Sequence, residues 1–380
     1  MNRTNEKNTL KPKYRAIRIA LAGGGTGGHL FPGIAIAREF ETRNRENAVI
    51  FVSTGNPLEK RILTTAGYAL ECISAEGFKG RGIWNQARSL LKIPRGVWES
   101  IRVLKRFKPD LVFGLGSYAA GPVLLAARLL GMPIVLHEAN IIPGITNRLL
   151  SRFVDRVYSS FEETGKYVKA RNIVWTGNPI RQDIMTAGEA NQDKGDISPD
   201  QNRFTVLIIG GSQGAHSINM AVIDALAGLD QKDRLYFVHQ TGREDEDMVR
   251  SAYEQQAISG RVGSFFDDMA KVYSQADLII CRAGATTVAE ITALGKAALF
   301  IPFPQAADDH QTKNAKELVD QEAADMVSEK QLTPQLLSDK IGYYAAHPNR
   351  LQQMAANAAR LGKPDAAERI VDDCYQLLEA

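Results

Sequence analysis

Three glycine-rich turns hold most of the residues able to do chemistry in this chain: AGGGTGGHLFPG (22–33), GGSQGAH (210–216) and CRAGATTVAEI (281–291). Each follows an apolar run and opens a helical pattern. Glycines let backbone N–H groups close on a ligand, and a helix start adds free donors and a positive dipole end, a combination that suits phosphate. In the second turn, Ser212 can add a hydroxyl to those donors. In the third, small and hydroxylated residues from Ala285 onward precede Glu290. Such a helix start can receive a diphosphate while the carboxylate accepts two sugar hydroxyls; spacing alone equally allows a plain loop with Glu290 on a solvated helix face. His29 closes the first turn, and histidine titrates at ~6.5, which suits proton transfer at neutral pH.

Several other chemistries are disfavoured. The first turn formally contains G-x-G-x-x-G at Gly23, Gly25 and Gly28, but that fingerprint also needs an acid at the end of the second strand to hold a ribose. Here the strand ends VSTGN (52–56), which speaks against a nicotinamide oxidoreductase. No G-x-x-x-x-G-K-[ST] occurs, so an ordinary P-loop NTPase is excluded. The three cysteines, Cys72, Cys281 and Cys374, have no metal-ligand spacing, and Cys281 reads as a small core residue. Asp245-Glu246-Asp247 resembles an Asp-x-Asp metal motif but lies within REDEDMVR, a charged helix face. No metal or cofactor is expected.

The turns need a scaffold, and an internal repeat supplies one. A shift of 187 residues lays Gly23 on Gly210, Gly24 on Gly211, Gly27 on Gly214 and His29 on His216. Each copy opens a long alternation of apolar runs and amphipathic segments, the pattern of a doubly wound α/β domain. Strands are expected near 17–22, 48–53, 70–74, 111–115, 133–137, 154–158 and 173–176, then near 204–210, 235–239, 277–281 and 297–301. Runs apolar throughout suit parallel strands covered on both faces. The polar stretch 182–203 reads as a linker or surface excursion, and MNRTNEKNTLKPKYR at the start as a loose tail rather than a signal peptide.

The 380 residues carry a net charge of only +3, yet the halves differ. Residues 1–190 hold 28 Lys and Arg against 15 Asp and Glu; residues 191–380 hold 18 against 28. A basic first half points to an anionic partner, nucleic acid or membrane surface. No RNA-binding motif or stacking-aromatic pattern appears, so nucleic acid is disfavoured. Residues 76–109 carry nine Lys and Arg against Glu76 and Glu99, interleaved with Phe78, Ile83, Trp84, Leu90, Leu91, Ile93 and Trp98. This region, and 78–95 above all, is the expected lipid-facing part, with Lys79, Arg81, Arg88 and Lys92 on an anionic leaflet. Val97, Ile101 and Leu104 read as the inner face of a crossover helix. No transmembrane span is evident.

The motifs GGGTGGHLFPG (23–33), GSYAAGP (116–122), HEAN (137–140), GNPIR (177–181), GGSQGA (210–215) and CRAGATTVAE (281–290) together resemble the MurG-type glycosyltransferases, over roughly residues 17–315. The resemblance implies a GT-B fold, two Rossmann-like domains facing a cleft. It implies inverting transfer of N-acetylglucosamine from UDP-GlcNAc to undecaprenyl-pyrophosphoryl-MurNAc-pentapeptide, converting lipid I to lipid II in peptidoglycan synthesis. Peripheral attachment to the cytoplasmic face of the cell membrane, cell-wall synthesis proteins as partners, and a part in cell shape and division follow from it. The alternatives are another UDP-sugar transferase or a UDP-GlcNAc epimerase on the same fold. On this reading 16–178 is the acceptor- and membrane-facing domain, 179–363 the UDP-GlcNAc domain, and 364–380 a helix packing back on the first domain, after a tail at 1–15.

Position by position, the resemblance implies that Thr26, Gly27, Gly28 and Asn140 contact the GlcNAc or its diphosphate. Arg181 and Ser212 would lie at the diphosphate, and Phe266 would offer its backbone to the uracil edge. Ala285, Thr286, Thr287, Val288 and Ala289 would form the helix start under the nucleotide, with Glu290 on the ribose and Gln311 on the sugar. His29 is the expected general base for the acceptor hydroxyl. Its repeat counterpart His216 reads as structural, and His137 and Glu138 are assigned no chemistry.

Overall fold

The computed structural model describes residues 14–76, 83–185, 203–211 and 214–379, with side chains left aside at 83–92. Ser212, the GFKGRG stretch at 77–82, most of the 182–203 linker and nearly all of the N-terminal tail lie outside the described residues, as do the side chains of Trp84, Arg88 and Lys92.

The first seven strands are β1 (Arg18–Gly23), β2 (Ala48–Ser53), β3 (Ala69–Cys72), β4 (Leu111–Gly116), β5 (Ile134–Glu138), β6 (Arg156–Ser159) and β7 (Ile173–Trp175). They form one parallel sheet in the order β3-β2-β1-β4-β5-β6-β7. Six more, β8 (Phe204–Ile209), β9 (Leu235–Gln240), β10 (Gly260–Gly263), β11 (Leu278–Cys281), β12 (Ala298–Phe300) and β13 (Asp325–Met326), form a second in the order β10-β9-β8-β11-β12-β13. Every expected strand is present. The sequence reading missed the short edge strands β10 and β13, which have too few apolar residues to register as buried runs.

Helices cover both faces: α1 (Gly27–Arg43), α2 (Pro57–Ala66), α3 (Ile83–Phe107), α4 (Ala120–Leu129) and α5 (Ile145–Leu150) in the first half. The second half has α6 (His216–Ala225), α7 (Glu246–Gln255), α8 (Met269–Gln275), α9 (Ala285–Ala293), α10 (His310–Val319), α11 (Pro334–Ala346), α12 (Pro348–Leu361) and α13 (Ala366–Glu379). Strand residues alternate between two cores. In the first sheet, Ile19, Leu21 and Phe113 face α1, while Ala20, Val52 and Val112 face Val103 and Leu104 of α3 and Val123 of α4. Val97 and Ile101 pack against the latter core, as expected of a crossover helix, while Trp98 stays exposed under the Arg102 guanidinium.

The last helix, α13, crosses back. Ile370, Val371, Cys374 and Tyr375 are buried in the core of the first sheet, and Ile370 and Val371 each contribute about 1.5–3 kcal/mol on the apolar-burial scale. Tyr375 stacks on Tyr14 at 4.4 Å between centroids and accepts from the Asn47 amide at 2.7 Å, while Tyr158 donates to Asp373 at 2.8 Å. The chain therefore passes between the domains twice, near 177 and near 363, and the crossings touch. Gly177 has φ +89°, and a Cβ there would lie 2.4 Å from Cβ of Lys363.

In both sheets the strand order reverses at the centre, between β1 and β4 and between β8 and β11. Ligands of such sheets bind outside the carboxyl ends of the strands at this reversal. All three glycine turns and the GSYAAG loop fall there.

Candidate active site in the interdomain cleft

The first turn is built by backbone crowding. Gly23 has φ +132°, and a Cβ on it would lie 2.4 Å from the Gly116 carbonyl, so β1 and β4 end in direct backbone contact. Gly24 N–H donates to Ser117 Oγ at 3.2 Å and Gly25 N–H to Glu59 Oε1 at 2.5 Å. Glu59 went unnoticed in the sequence. It stands not at the end of β2 but in α2, where Asn56 and Glu59 form a capping box around Pro57.

From Thr26 onward the turn faces the second domain. Pro32 lies inside α1 rather than in its first turn, and proline has no N–H to give the carbonyl four residues back. That carbonyl belongs to Gly28, and it accepts the Thr286 hydroxyl across the cleft at 3.2 Å. Gly28 thereby meets Thr286 at the start of α9.

His29 lies beside the Gly116 backbone, and its Nδ1 is enclosed without a hydrogen-bond partner. Burial, with the nearby His310 adding to it, lowers the imidazole from its usual 6.5 to about 4. Desolvation is the larger of these two causes. His137 is also held neutral by burial, at about 3, and its Nε2 bonds Ser160 Oγ at 3.2 Å. Glu138 accepts from Asn140 N–H (2.9 Å), Gly144 N–H (3.3 Å) and the Asn147 amide (2.8 Å), and so shapes the turn after β5.

The second domain brings α9 to the cleft with Gly284 as its cap, no side-chain capping bond and no acid in its first turn, leaving its positive end unopposed. Glu290 is 6% exposed, so it does not sit on a solvated face. Burial raises its carboxyl to about 7 against the pull of Arg181 and the Tyr273 hydroxyl. Tyr273 donates to Oε2 at 2.9 Å, and Arg181 Nη2 stands 3.9 Å from Oε1. A ribose would therefore find Oε1 as the oxygen outside the tyrosine bond, a narrower role than two fully open oxygens. The Arg181 guanidinium lies over Phe31 of α1, 4.6 Å from the ring centroid, so this cation spans the two domains.

Other expected residues are partly committed. Phe266 N–H already donates to Gln240 Oε1 at 3.0 Å, which leaves its carbonyl, not its N–H, for a base edge. Gln311 Oε1 accepts from Phe303 N–H at 3.0 Å. Asn140 Oδ1 accepts from Asn314 at 3.2 Å. Buried Asn314, another residue the sequence reading missed, also donates to the Ala283 carbonyl and accepts from Ile141 N–H, clipping the HEAN loop to the third glycine turn. His216 stands away from this cluster: its Nδ1 pairs with Asp245 at 2.9 Å. Asp245 is itself buried and not part of an open charged face. Among the described residues, no group of three His, Cys, Asp or Glu is placed to hold a metal ion. Cys281 is buried at the end of β11.

Two parallel-sheet α/β domains, each with its strand order reversing at the cleft, define the GT-B fold. The profile of the glycosyltransferase family 28 N-terminal domain matches residues 19–159, and that of its C-terminal domain residues 205–370. A relative from Syntrophus aciditrophicus, named UDP-N-acetylglucosamine–N-acetylmuramyl-(pentapeptide) pyrophosphoryl-undecaprenol N-acetylglucosamine transferase, is 48% identical over 95% of this chain and 99% of its own. One of the same name from Myxococcus xanthus is 44% identical over 95% and 93%. The crystal structure of Acinetobacter baumannii MurG is similar with a TM-score of 0.74 and 34% identity, covering 94% of this chain and 98% of that one. The calicheamicin glycosyltransferase CalG4, at 15% identity and a TM-score of 0.67, shares the fold over 96% of this chain and 99% of its own. The chain belongs to glycosyltransferase family 28, in its MurG-type group.

Proposed function

We propose that the protein transfers N-acetylglucosamine from UDP-GlcNAc to the carbon-4 hydroxyl of MurNAc in undecaprenyl-pyrophosphoryl-MurNAc-pentapeptide. The hydroxyl oxygen bonds carbon 1 of GlcNAc as the carbon 1–UDP bond breaks on the opposite face. UDP leaves with the electron pair, and the proton passes to His29. The observation that carries the reading is the joining of the first turn and α1 to the second domain, through the Thr286–Gly28 bond and through Arg181, which lies over Phe31 and beside Glu290. Arg181, the start of α9 and Ser212 would hold the diphosphate; Glu290 the ribose; the Phe266 carbonyl the uracil; Asn140 and Gln311 the sugar. UDP release from UDP-GlcNAc should require a soluble lipid I analogue. Consumption of UDP-GlcNAc without any acceptor would instead favour an epimerase.

Membrane attachment belongs to this reading. No described helix is long and apolar enough to cross a membrane. Leu125, Leu129, Ile145, Leu149 and Phe153 are nevertheless exposed on α4, α5 and the turn after it, beside a cavity of about 410 Å³ that Ile93 of α3 also lines. Arg128, Arg148 and Arg152 are exposed on the same elements. An apolar patch ringed by arginine suits an anionic leaflet on the cytoplasmic side, and it extends the basic 76–109 region to α4 and α5. Since each such arginine contributes ~1 kcal/mol near an anionic surface, Arg148→Gln with Arg152→Gln should lower partition onto phosphatidylglycerol vesicles by about thirtyfold at low salt. Unchanged sedimentation with vesicles would remove this face from the attachment site.

A further inference from the structure

Glu59 is wholly buried, and its carboxylate gathers five donors: the N–H groups of Gly25 (2.5 Å), Gly55 (2.7 Å) and Asn56 (3.0 Å), and the hydroxyls of Ser53 (2.8 Å) and Thr54 (3.3 Å). The bonds within 53–56 are local to the start of α2. The bond from Gly25 is not: it reaches across 34 residues to the first glycine turn. In a dinucleotide-binding turn, N–H groups of this kind receive a phosphate oxygen. Here a side chain of the same protein takes that place. The fit is tight, since a Cβ on Gly24 would lie 2.4 Å from Glu59 Oε1 and 2.5 Å from Ser53 Oγ.

The repeat gives this acid a counterpart in the second half. The shift of 187 residues lays Glu59 on Glu246, which likewise begins a helix, α7. Glu246, however, accepts from Ser264 N–H at 3.0 Å and pairs with Arg250 at 2.7 Å. The acid is kept in both halves, and its described partners differ: Gly25 of the glycine turn for Glu59, Ser264 and Arg250 for Glu246, while Ser212, the counterpart of Gly25, lies outside the described residues.

We propose that Glu59 is a positioning residue, a built-in anion that occupies the Gly25 N–H. It keeps the donor diphosphate off this part of the first turn and fixes the frame from which Thr26–His29 project into the cleft. The two turns then divide the work: the second half receives the diphosphate, and the first presents His29 to the acceptor. The proposal rests on the transferase reading, because position is read through turnover.

Glu59→Gln keeps the shape but must point an NH2 group at one of the five donors. We expect kcat to fall by about tenfold or more, with KM for UDP-GlcNAc and the calorimetric Kd of UDP within about twofold of the wild type. Hydrogen exchange should quicken at 23–28 and stay unchanged in the second domain. In Glu59→Ala, added formate should recover part of the lost kcat, and chloride at equal ionic strength should not. A Glu59→Gln enzyme with kcat within about twofold of the wild type would overturn the proposal. So would exchange quickened throughout the first domain, or formate acting no better than chloride. Wild-type turnover with the lipid I analogue, measured alongside, tests the transferase reading separately, and exchange at 23–28 reports on Glu59 whatever the acceptor is.

Discussion

Replacing His29 with alanine should lower kcat by roughly 10²–10⁴-fold, the usual loss with a general base, while UDP-GlcNAc binding stays nearly intact. The acceptor hydroxyl must shed a proton as it attacks, and among the described histidines His29 is the one brought to the cleft by the first turn. His137 is enclosed against Ser160, and His216 pairs with Asp245 away from the cluster. Burial holds the free-enzyme imidazole at about 4, so above that pH it is neutral and able to accept. Bound diphosphates bring negative charge nearby, which favours the imidazolium and moves the value back up. At saturating donor, kcat should therefore hold level as pH falls below 7 and drop with an apparent pKa between about 4 and the ordinary ~6.5. A His29→Ala enzyme keeping more than about a tenth of its turnover would end the assignment. His216→Ala, measured alongside, should keep full turnover.

The second large effect falls on the donor. Glu290→Gln keeps the shape but loses charge-assisted acceptance worth ~1.5–3 kcal/mol, so KM for UDP-GlcNAc should rise by about ten- to a hundredfold while KM for the acceptor barely moves. The pH dependence has a definite sign. Burial raises the Glu290 carboxyl to about 7, so it is protonated below that pH and ionised above it. Donor affinity should weaken as pH falls through 7, by up to about tenfold per unit, and Glu290→Gln should flatten that dependence. This limb belongs to kcat/KM for the donor, whereas the His29 limb belongs to kcat, so the two groups separate in one set of profiles. Equal effects of Glu290→Gln on both substrates would make Glu290 a structural acid.

The fold was legible because parallel strands buried on both faces leave uninterrupted apolar runs, and β1, β4 and β8 are of that kind. GRVG (260–263) and Asp325-Met326 leave no such mark, and their pairing comes from the neighbouring strands. Within the site, glycine turns announce themselves because only glycine tolerates crowding such as that of Gly23 against Gly116. Their partners do not. Glu59, Tyr273 and Asn314 reach the site from other elements, and nothing in their local sequence says which way they point. The Thr286–Gly28 bond lies between these extremes. Pro32 guarantees a carbonyl without its helical partner, but only the packed domains show which hydroxyl finds it.

The return of α13 to the first sheet has a consequence for how the protein is made. Domains generally fold as units in the order in which they are synthesised. Here the half translated first lacks Ile370, Val371, Cys374 and Tyr375 until α13 leaves the ribosome, so its core stays open on one face while the second half is already complete. The nascent first half must wait, with apolar surface uncovered, through the translation of some two hundred further residues. Premature termination between Leu361 and Ala366 would leave the second half whole and the first half unfinished.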